Sequence, residues 1–324
     1  MTDRTPRPEL LIVAPMMPFV MEALERDYTT HRLWEQPDRA AYLAAHGAEI
    51  TGAATNGGAG LNPEIMAALP KLEMVAIYGV GLDAIDLQEA ARRGLKVSTT
   101  PDVLTADVAD QGLALLLAAA RRVSYGDRYV RAGDWAKKGE MPLTIRLGGK
   151  RAGIVGLGRV GQALARRLSA LDIQVLYTDR LAIPGQPYTY MPDILTLARE
   201  VDFLIVAAAG GDGTRRLVNA QVLEALGPQG ILINVSRGTI VDEEALVHAL
   251  QNGTLGGAGL DVFAAEPNVP PGLLALDNVV LAPHAASGTT ESRREMGELV
   301  LANLKAHYAH QDLPTPVRLP EVTR

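Results

Sequence analysis

Three residues in the second half of the chain have types and positions suited to a single reaction: Arg237 in NVSRG, Glu266 in GLDVFAAEP and His284 in VVLAPH. A guanidinium presents a planar fork of donors to a carboxylate and polarises a neighbouring carbonyl oxygen. An imidazole donates a proton to an oxygen that is gaining charge, and takes it back in the reverse direction. A carboxylate bonded to the second imidazole nitrogen fixes the tautomer and favours the protonated ring. Together the three suit interconversion of a 2-keto acid and a 2-hydroxy acid. Arg237 binds the keto acid, His284 donates the proton as hydride reaches carbon, and Glu266 tunes His284. The other five histidines, His31, His46, His248, His307 and His310, stand in no such context and read as surface or packing residues.

Hydride needs a carrier. Residues 153–161, GIVGLGRVG, place Gly156, Gly158 and Gly161 in the pattern G-x-G-x-x-G. In a chain with 32 glycines the pattern alone is weak. Context strengthens it, because it follows an apolar strand segment and opens a helix whose Val160, Leu164, Leu168 and Leu171 share one face. Gly156 permits a tight turn, Gly158 lets a pyrophosphate approach the backbone, and Gly161 lets the helix pack on the strand. The free N–H groups of the helix N-terminus then face the phosphates. Asp179, 18 residues beyond Gly161, ends the next strand segment. A carboxylate there accepts from both ribose hydroxyls and repels a 2′-phosphate, which favours NAD; the adjacent Arg180 softens that preference and keeps NADP possible. Asp261, just inside the fifth strand segment, is placed to accept from a nicotinamide carboxamide.

The elements that must position these groups are visible as alternating apolar runs and amphipathic segments. From residue 150 onward the strand segments are 152–155, 174–179, 202–208, 231–235, 258–262 and 279–282, with crossover helices between them, 242–252 among these. Six parallel strands with helical crossovers form a doubly wound sheet. In the order 3-2-1-4-5-6, its ligand crevice lies between strands one and four. Arg237, Glu266 and His284 follow the fourth, fifth and sixth segments. The first hundred residues carry a smaller parallel unit, with strands at 10–14, 50–54, 74–78 and 96–98. A long helical pattern over 103–123, preceded by Pro101, joins the units. A second, over 289–310, leads to a tail with Pro314, Pro316 and Pro320 that runs over a surface. The fold class expected is α/β with two parallel-sheet domains. A Rossmann dinucleotide domain, 102–288, is inserted into a flavodoxin-like substrate domain made of 1–101 and 289–324.

Composition narrows the field. The 324 residues are 48% hydrophobic and 21% charged, enough to bury a core in about two domains. A net charge of −6 and an aromatic content of 4% argue against a nucleic-acid partner, which needs a basic face or stacking platforms. The absence of cysteine removes disulfides, thiolate metal sites and a cysteine nucleophile. The polar start MTDRTPRPEL has no apolar signal core, and the apolar run 113–120 is too short to span a membrane. A cytoplasmic protein is expected, with no membrane association.

These residues give the chain a resemblance to the D-isomer-specific 2-hydroxyacid dehydrogenases over almost its whole length. It is carried by IYGVGLDAID (77–86), TTPDVLTADVAD (99–110), GIVGLGRVG (153–161), INVSRGTIVDEEAL (233–246), GAGLDVFAAEP (257–267) and APHAASGTT (282–290). Within the family it is most similar to the glyoxylate/hydroxypyruvate reductases, which implies small 2-keto acid substrates and a homodimer. The resemblance implies that Arg237, Glu266 and His284 form the catalytic set. It implies that the backbone of Val80 and Gly81 holds the substrate carboxylate, with Ser287 nearby. The implied cofactor contacts are Val108, Gly156, Leu157, Gly158, Arg159, Val160, Gly161, Asp179 and Arg180, then Ala208, Val235, Ser236, Arg237, Asp261, His284 and Gly288. A cleft closing on hinges near Thr100–Asp102 and Ser287–Thr289 is implied too.

The chain departs from the family where Pro-Leu-Thr usually follows the third strand segment; Ala209, Gly210 and Gly211 stand here instead. That loop borders the adenine and bears on the choice between NAD and NADP. Formate dehydrogenases carry Gln in place of Glu266, which turns the resemblance away from them. The regulatory domain of long phosphoglycerate dehydrogenases is not expected. The loop NGGAG (56–60) is either a substrate-facing backbone or a plain turn. Trp135 reads as a packing or interface residue, or one that reaches a neighbouring subunit's site. Two other functions share the same fold: a dehydrogenase for phosphite, 3-phosphoglycerate or an aryl pyruvate, and an NADH-sensing corepressor-like protein without catalysis.

Overall fold

Short runs of β-branched and small apolar residues form the strands, and the amphipathic stretches between them form the covering helices. In the computed structural model, residues 7–321 are described; the first six residues of the polar N-terminal segment lie outside the described residues. The chain divides into two units, Met1–Leu104 with Thr289–Arg324, and Thr105–Gly288.

The first unit holds β1 (Glu9–Ile12), β2 (Thr29–Arg32), β3 (Gly52–Asn56), β4 (Met74–Tyr78) and β5 (Lys96–Ser98) in one parallel sheet ordered β2-β1-β3-β4-β5. This is the flavodoxin-like order. Four of these strands are the apolar segments expected. The fifth, β2, is TTHR, an edge strand with no apolar alternation. Strands β3 and β4 are buried almost throughout, as parallel strands covered on both faces must be. The proline-containing tail does more than cross a surface. Pro316 bridges Ser98 antiparallel, Val317 N–H donates to Val97 O at 2.8 Å, and Val317 and Leu319 pack on the core. The tail thereby covers the otherwise open edge of β5.

The second unit holds β6 (Arg151–Val155), β7 (Gln174–Thr178), β8 (Thr189–Tyr190), β9 (Phe203–Val206), β10 (Ile231–Asn234), β11 (Gly257–Leu260) and β12 (Val279–Leu281). All neighbours pair parallel in the order β12-β11-β10-β9-β6-β7-β8. This is the doubly wound Rossmann arrangement with one additional strand. The two-residue β8 lies on the edge, too short to register as an apolar run. It shifts the count, so the strand beside β6 across the switch point is β9, and the segment at 231–235 is one strand further out.

Two boundaries differ from the sequence reading. The first unit runs to Leu104 rather than 101, because Leu104 is buried and Val103 O accepts from Ser292 Oγ at 2.9 Å within the same unit. The helical pattern at 103–123 is two helices, Thr105–Ala120 and Val123–Arg131. They are separated by Arg122, whose φ of 50° is left-handed and ends the first.

Candidate active site

The loop after β10 is shaped by Asn234, a buried side chain. Its Nδ2 donates to Arg237 O at 2.9 Å, and its Oδ1 accepts from Ser236 N–H at 3.1 Å. Asn234 O also accepts from Asp261 N–H at 3.0 Å, tying this loop to the next. Arg237 then opens a short 3-10 turn, Gly238–Ile240. A Cβ on Gly238 would stand 1.9 Å from Phe263 C, so only glycine lets the loop after β10 lie against the loop after β11.

On that second loop Glu266 is held from both sides. Its Oε1 accepts from Phe263 N–H at 3.0 Å, and its Oε2 lies 2.7 Å from His284 Nδ1. A carboxylate only accepts, so the proton between them sits on Nδ1 and Nε2 is left to exchange a proton with a ligand. Both side chains reach solvent, His284 at 44% and Glu266 at 34% exposure.

His284 itself sits in the left-handed region with φ 51°. Such a backbone costs on the order of 1 kcal/mol and needs surrounding bonds to hold it. Asp261 supplies them. Its backbone oxygen accepts from His284 N–H at 2.8 Å, its Oδ1 from Ala285 N–H at 2.9 Å and its Oδ2 from Ala286 N–H at 3.0 Å. Gln111 Nε2 adds a longer contact at 3.4 Å. Burial pushes the Asp261 carboxyl up, and the two amides pull part of that back. Asp261 stands one residue past β11, fully buried, with both oxygens engaged by the His284 turn.

The glycine loop follows β6. Gly156 has φ 89°, and a Cβ there would lie 2.6 Å from Ala208 Cα. A Cβ on Gly161 would meet Gly156 O at 2.2 Å, so the helix Arg159–Ser169 can start this close only with glycine. Gly158 differs from both, with no atom within 4 Å of the place its Cβ would occupy. The backbone there is open to an approaching group at a helix N-terminus, which fits the diphosphate of a dinucleotide. Asp179 follows β7; its Oδ2 accepts from Leu157 N–H at 2.9 Å and its Oδ1 from Arg180 N–H at 2.7 Å. Arg159 and Arg180 are exposed, Val160 half-buried, Leu157 buried.

Across the switch point, Ala208 O accepts from Ser236 Oγ, and Thr214 Oγ1 donates to Ala209 O at 3.0 Å. These bonds pin the Ala209–Gly210–Gly211 loop. Val108 and Val235 are buried beneath the site. Ser287 is half-buried and Gly288 exposed, its N–H donating to Ala285 O at 2.7 Å.

In the first unit, Val80 and Gly81 lie on the loop after β4, with Val80 44% exposed. A Cβ on Gly57 would be 3.6 Å from Gly81 O, so the NGGAG loop lies beside this one at the ends of neighbouring strands. Asn56 Oδ1 accepts from Gly58 N–H and Ala59 N–H at 3.1 and 2.7 Å, which makes that loop an ordered turn. Trp135 is 64% exposed on the helix Asp134–Lys138. Asn234, Gly238, Gln111 and Thr214 carry no signal of their own in the sequence: Gly238 and Gln111 meet residues far along the chain, and Asn234 and Thr214 bond within their own loops in a turn geometry that residue type alone does not give.

The model for the D-isomer specific 2-hydroxyacid dehydrogenase NAD-binding domain matches residues 113–286. The chain belongs to the D-isomer specific 2-hydroxyacid dehydrogenases. This dehydrogenase is 46% identical to the hydroxyphenylpyruvate reductase of Plectranthus scutellarioides, over 95% of this chain and 98% of that one. It is 44% identical to a glyoxylate/hydroxypyruvate reductase A of Arabidopsis thaliana, with the same coverage. An NADPH-dependent glyoxylate/hydroxypyruvate reductase of Sinorhizobium meliloti, solved with NADP and malonate, superposes with a TM-score of 0.91 at 46% identity, covering 96% of this chain and 97% of that one. The dehydrogenase is an NAD(P)-dependent oxidoreductase. Among its described residues no helix is long and apolar enough to cross a membrane.

Proposed function

We propose that the enzyme reduces glyoxylate or hydroxypyruvate to the D-2-hydroxy acid, with Arg237, Glu266 and His284 as its catalytic residues and NADH as the preferred cofactor. The observation that carries this reading is the 2.7 Å contact between His284 Nδ1 and Glu266 Oε2, which leaves Nε2 to a substrate. Arg237 forks onto the keto acid and polarises its carbonyl. The glycine loop would hold a dinucleotide by its diphosphate, and the reduced nicotinamide would supply the hydride. His284 delivers the proton from Nε2 to the carbonyl oxygen, and Glu266 stabilises the imidazolium until then. The backbone of Val80 and Gly81, with Ser287, holds the substrate carboxylate. Val108, Ala208, Val235, Ser236 and Gly288 line the cofactor with the glycine loop. The name of the Arabidopsis relative supports the substrate class.

A second reading, an aryl pyruvate as substrate, is favoured by the hydroxyphenylpyruvate reductase at 46% identity. Initial rates with glyoxylate, hydroxypyruvate and hydroxyphenylpyruvate, each with NADH and NADPH, separate the two by the highest kcat/KM. Turnover of none of the three overturns both.

The NADH preference rests on Asp179, whose carboxylate lies at the end of β7 beside the glycine loop. Asp179→Ser keeps an acceptor for Leu157 N–H but removes the charge that repels a 2′-phosphate, and leaves Arg180 free to meet it. The NADH/NADPH ratio of kcat/KM is expected to fall about tenfold. An unchanged ratio assigns the selection to other residues.

A homodimer belongs to the same reading. Val123, Val130, Trp135 and Leu143 are exposed apolar side chains, at 57%, 56%, 64% and 95%, in one stretch of the second unit. Their clustering suits a subunit interface. Light scattering is expected to return the mass of two chains, and Trp135→Glu combined with Leu143→Glu the mass of one. A single-chain mass for the unaltered protein refutes the assignment.

A further inference from the structure

Glu266 is held against His284 by a loop with no regular structure, closed within itself by Asn268 N–H donating to Ala265 O at 2.8 Å, and a further hold on that loop comes from outside it. Glu243 is the first residue of the helix Glu243–Gln251. The cap of that helix is already made by Asp242, whose side chain accepts from Ala245 N–H at 3.3 Å. The Glu243 carboxylate is instead turned outward, and its Oε1 accepts from Ala264 N–H at 2.7 Å. Ala264 follows Phe263, whose own N–H donates to Glu266 Oε1 at 3.0 Å. Glu266 Oε2 then meets His284 Nδ1. The chain of bonds runs from Glu243 through Ala264 and Phe263 to Glu266 and His284.

We infer that Glu243 is a positioning residue for the reaction, fixing through Ala264 the loop that aims Glu266 at His284. Beside it the loop has the buried Phe263 packed on the core, the bond from Asn268 N–H to Ala265 O and the close contact at Gly238, but none of these holds the Ala264 N–H. Glu243 also lines a surface cavity of about 480 Å³ together with Ala264 and the exposed Arg215, Arg216 and Glu244. This placement matters to the prediction. If the carboxylate is removed, water from the cavity satisfies Ala264 N–H, so the fold keeps its stability while the loop loses its fixed position. Burial pushes the Glu243 carboxyl up, the bond from Ala264 N–H pulls part of that back, and the charge of Glu266 adds to the rise.

The inference rests on the reading that Glu266 and His284 are the proton-donating pair, so Glu266→Gln is measured beside the Glu243 variants. The full-length enzyme is assayed with whichever of glyoxylate, hydroxypyruvate and hydroxyphenylpyruvate it turns over fastest. Glu243→Ala is expected to lower kcat about tenfold, with the affinity for reduced cofactor and the Tm nearly unchanged. Glu243→Gln retains an oxygen that accepts from Ala264 and is expected to stay within about twofold of the unaltered enzyme. Full kcat in Glu243→Ala, with loss in Glu266→Gln, overturns the inference and leaves the catalytic reading intact. Full kcat in Glu266→Gln overturns that reading and the inference with it. A parallel loss of cofactor affinity and Tm in Glu243→Ala, or equal damage in Glu243→Gln, shows a general structural or charge role and overturns the inference alone.

Discussion

His284→Asn is expected to lower kcat for keto-acid reduction about 10³-fold while the affinity for reduced cofactor stays within about twofold. Asparagine is the replacement of choice because it tolerates the left-handed backbone at this position, where φ is 51°. The turn anchored by Asp261 therefore survives, since its bonds go to backbone groups of residues 284–286 and not to the imidazole. What is lost is the imidazole, whose Nε2 is left to carry a proton by the bond between Nδ1 and Glu266. Hydride transfer to a carbonyl with no proton donor leaves an alkoxide unneutralised, and only water and Arg237 remain to stabilise it. Steady-state rates, with cofactor binding followed by fluorescence, test both. Turnover within about tenfold of the unaltered enzyme removes His284 from the mechanism.

The second large effect lies at the glycine loop, where two glycines predict opposite kinds of damage. Gly158→Val meets no protein atom, since nothing lies within 4 Å of its Cβ position. It is expected to leave Tm unchanged and to weaken cofactor binding about 10²-fold, because the added groups stand where the diphosphate meets the helix N-terminus. Gly161→Val collides with Gly156 O, 2.2 Å from the first added carbon. It is expected to lower Tm as well as cofactor affinity, because the helix must move off the strand. Titration of NADH and NADPH beside thermal unfolding distinguishes them. Unchanged affinity in Gly158→Val refutes the assignment of this loop to the diphosphate.

Much of the architecture can be read from local pattern, for a physical reason. Parallel strands covered on both faces must be apolar along their whole length, so β3, β4, β6, β9, β10 and β11 stand out as continuous runs. The glycine loop is equally local, because its turn, its close approach and its helix packing each demand glycine within a few residues. The strands that escape notice are β2, with the sequence TTHR, and the two-residue β8. Both are short edge strands that bury little, so composition does not mark them. Missing β8 moved the expected crevice from β9 to the segment at 231–235, an error of topology from one dipeptide.

The types of Arg237, Glu266 and His284, and their places after successive strands, were set by the sequence alone, because the carboxyl ends of parallel strands all point to one side of the sheet. What only the tertiary structure decided is how these groups are held. Asp261 proves to be a buried brace of the His284 turn, Asn234 a clamp on the Arg237 loop, and Gly238 the gap that lets two loops touch. Glu243 looks like an ordinary acid in the first turn of a helix until Ala264, 21 residues on, is seen to donate to it. The roles of Asp261, Gly238 and Glu243 join residues far apart in the chain, and the distance between such residues is a property of packing, which no local pattern records; Asn234 acts within its own loop, in a turn that its residue type alone does not give.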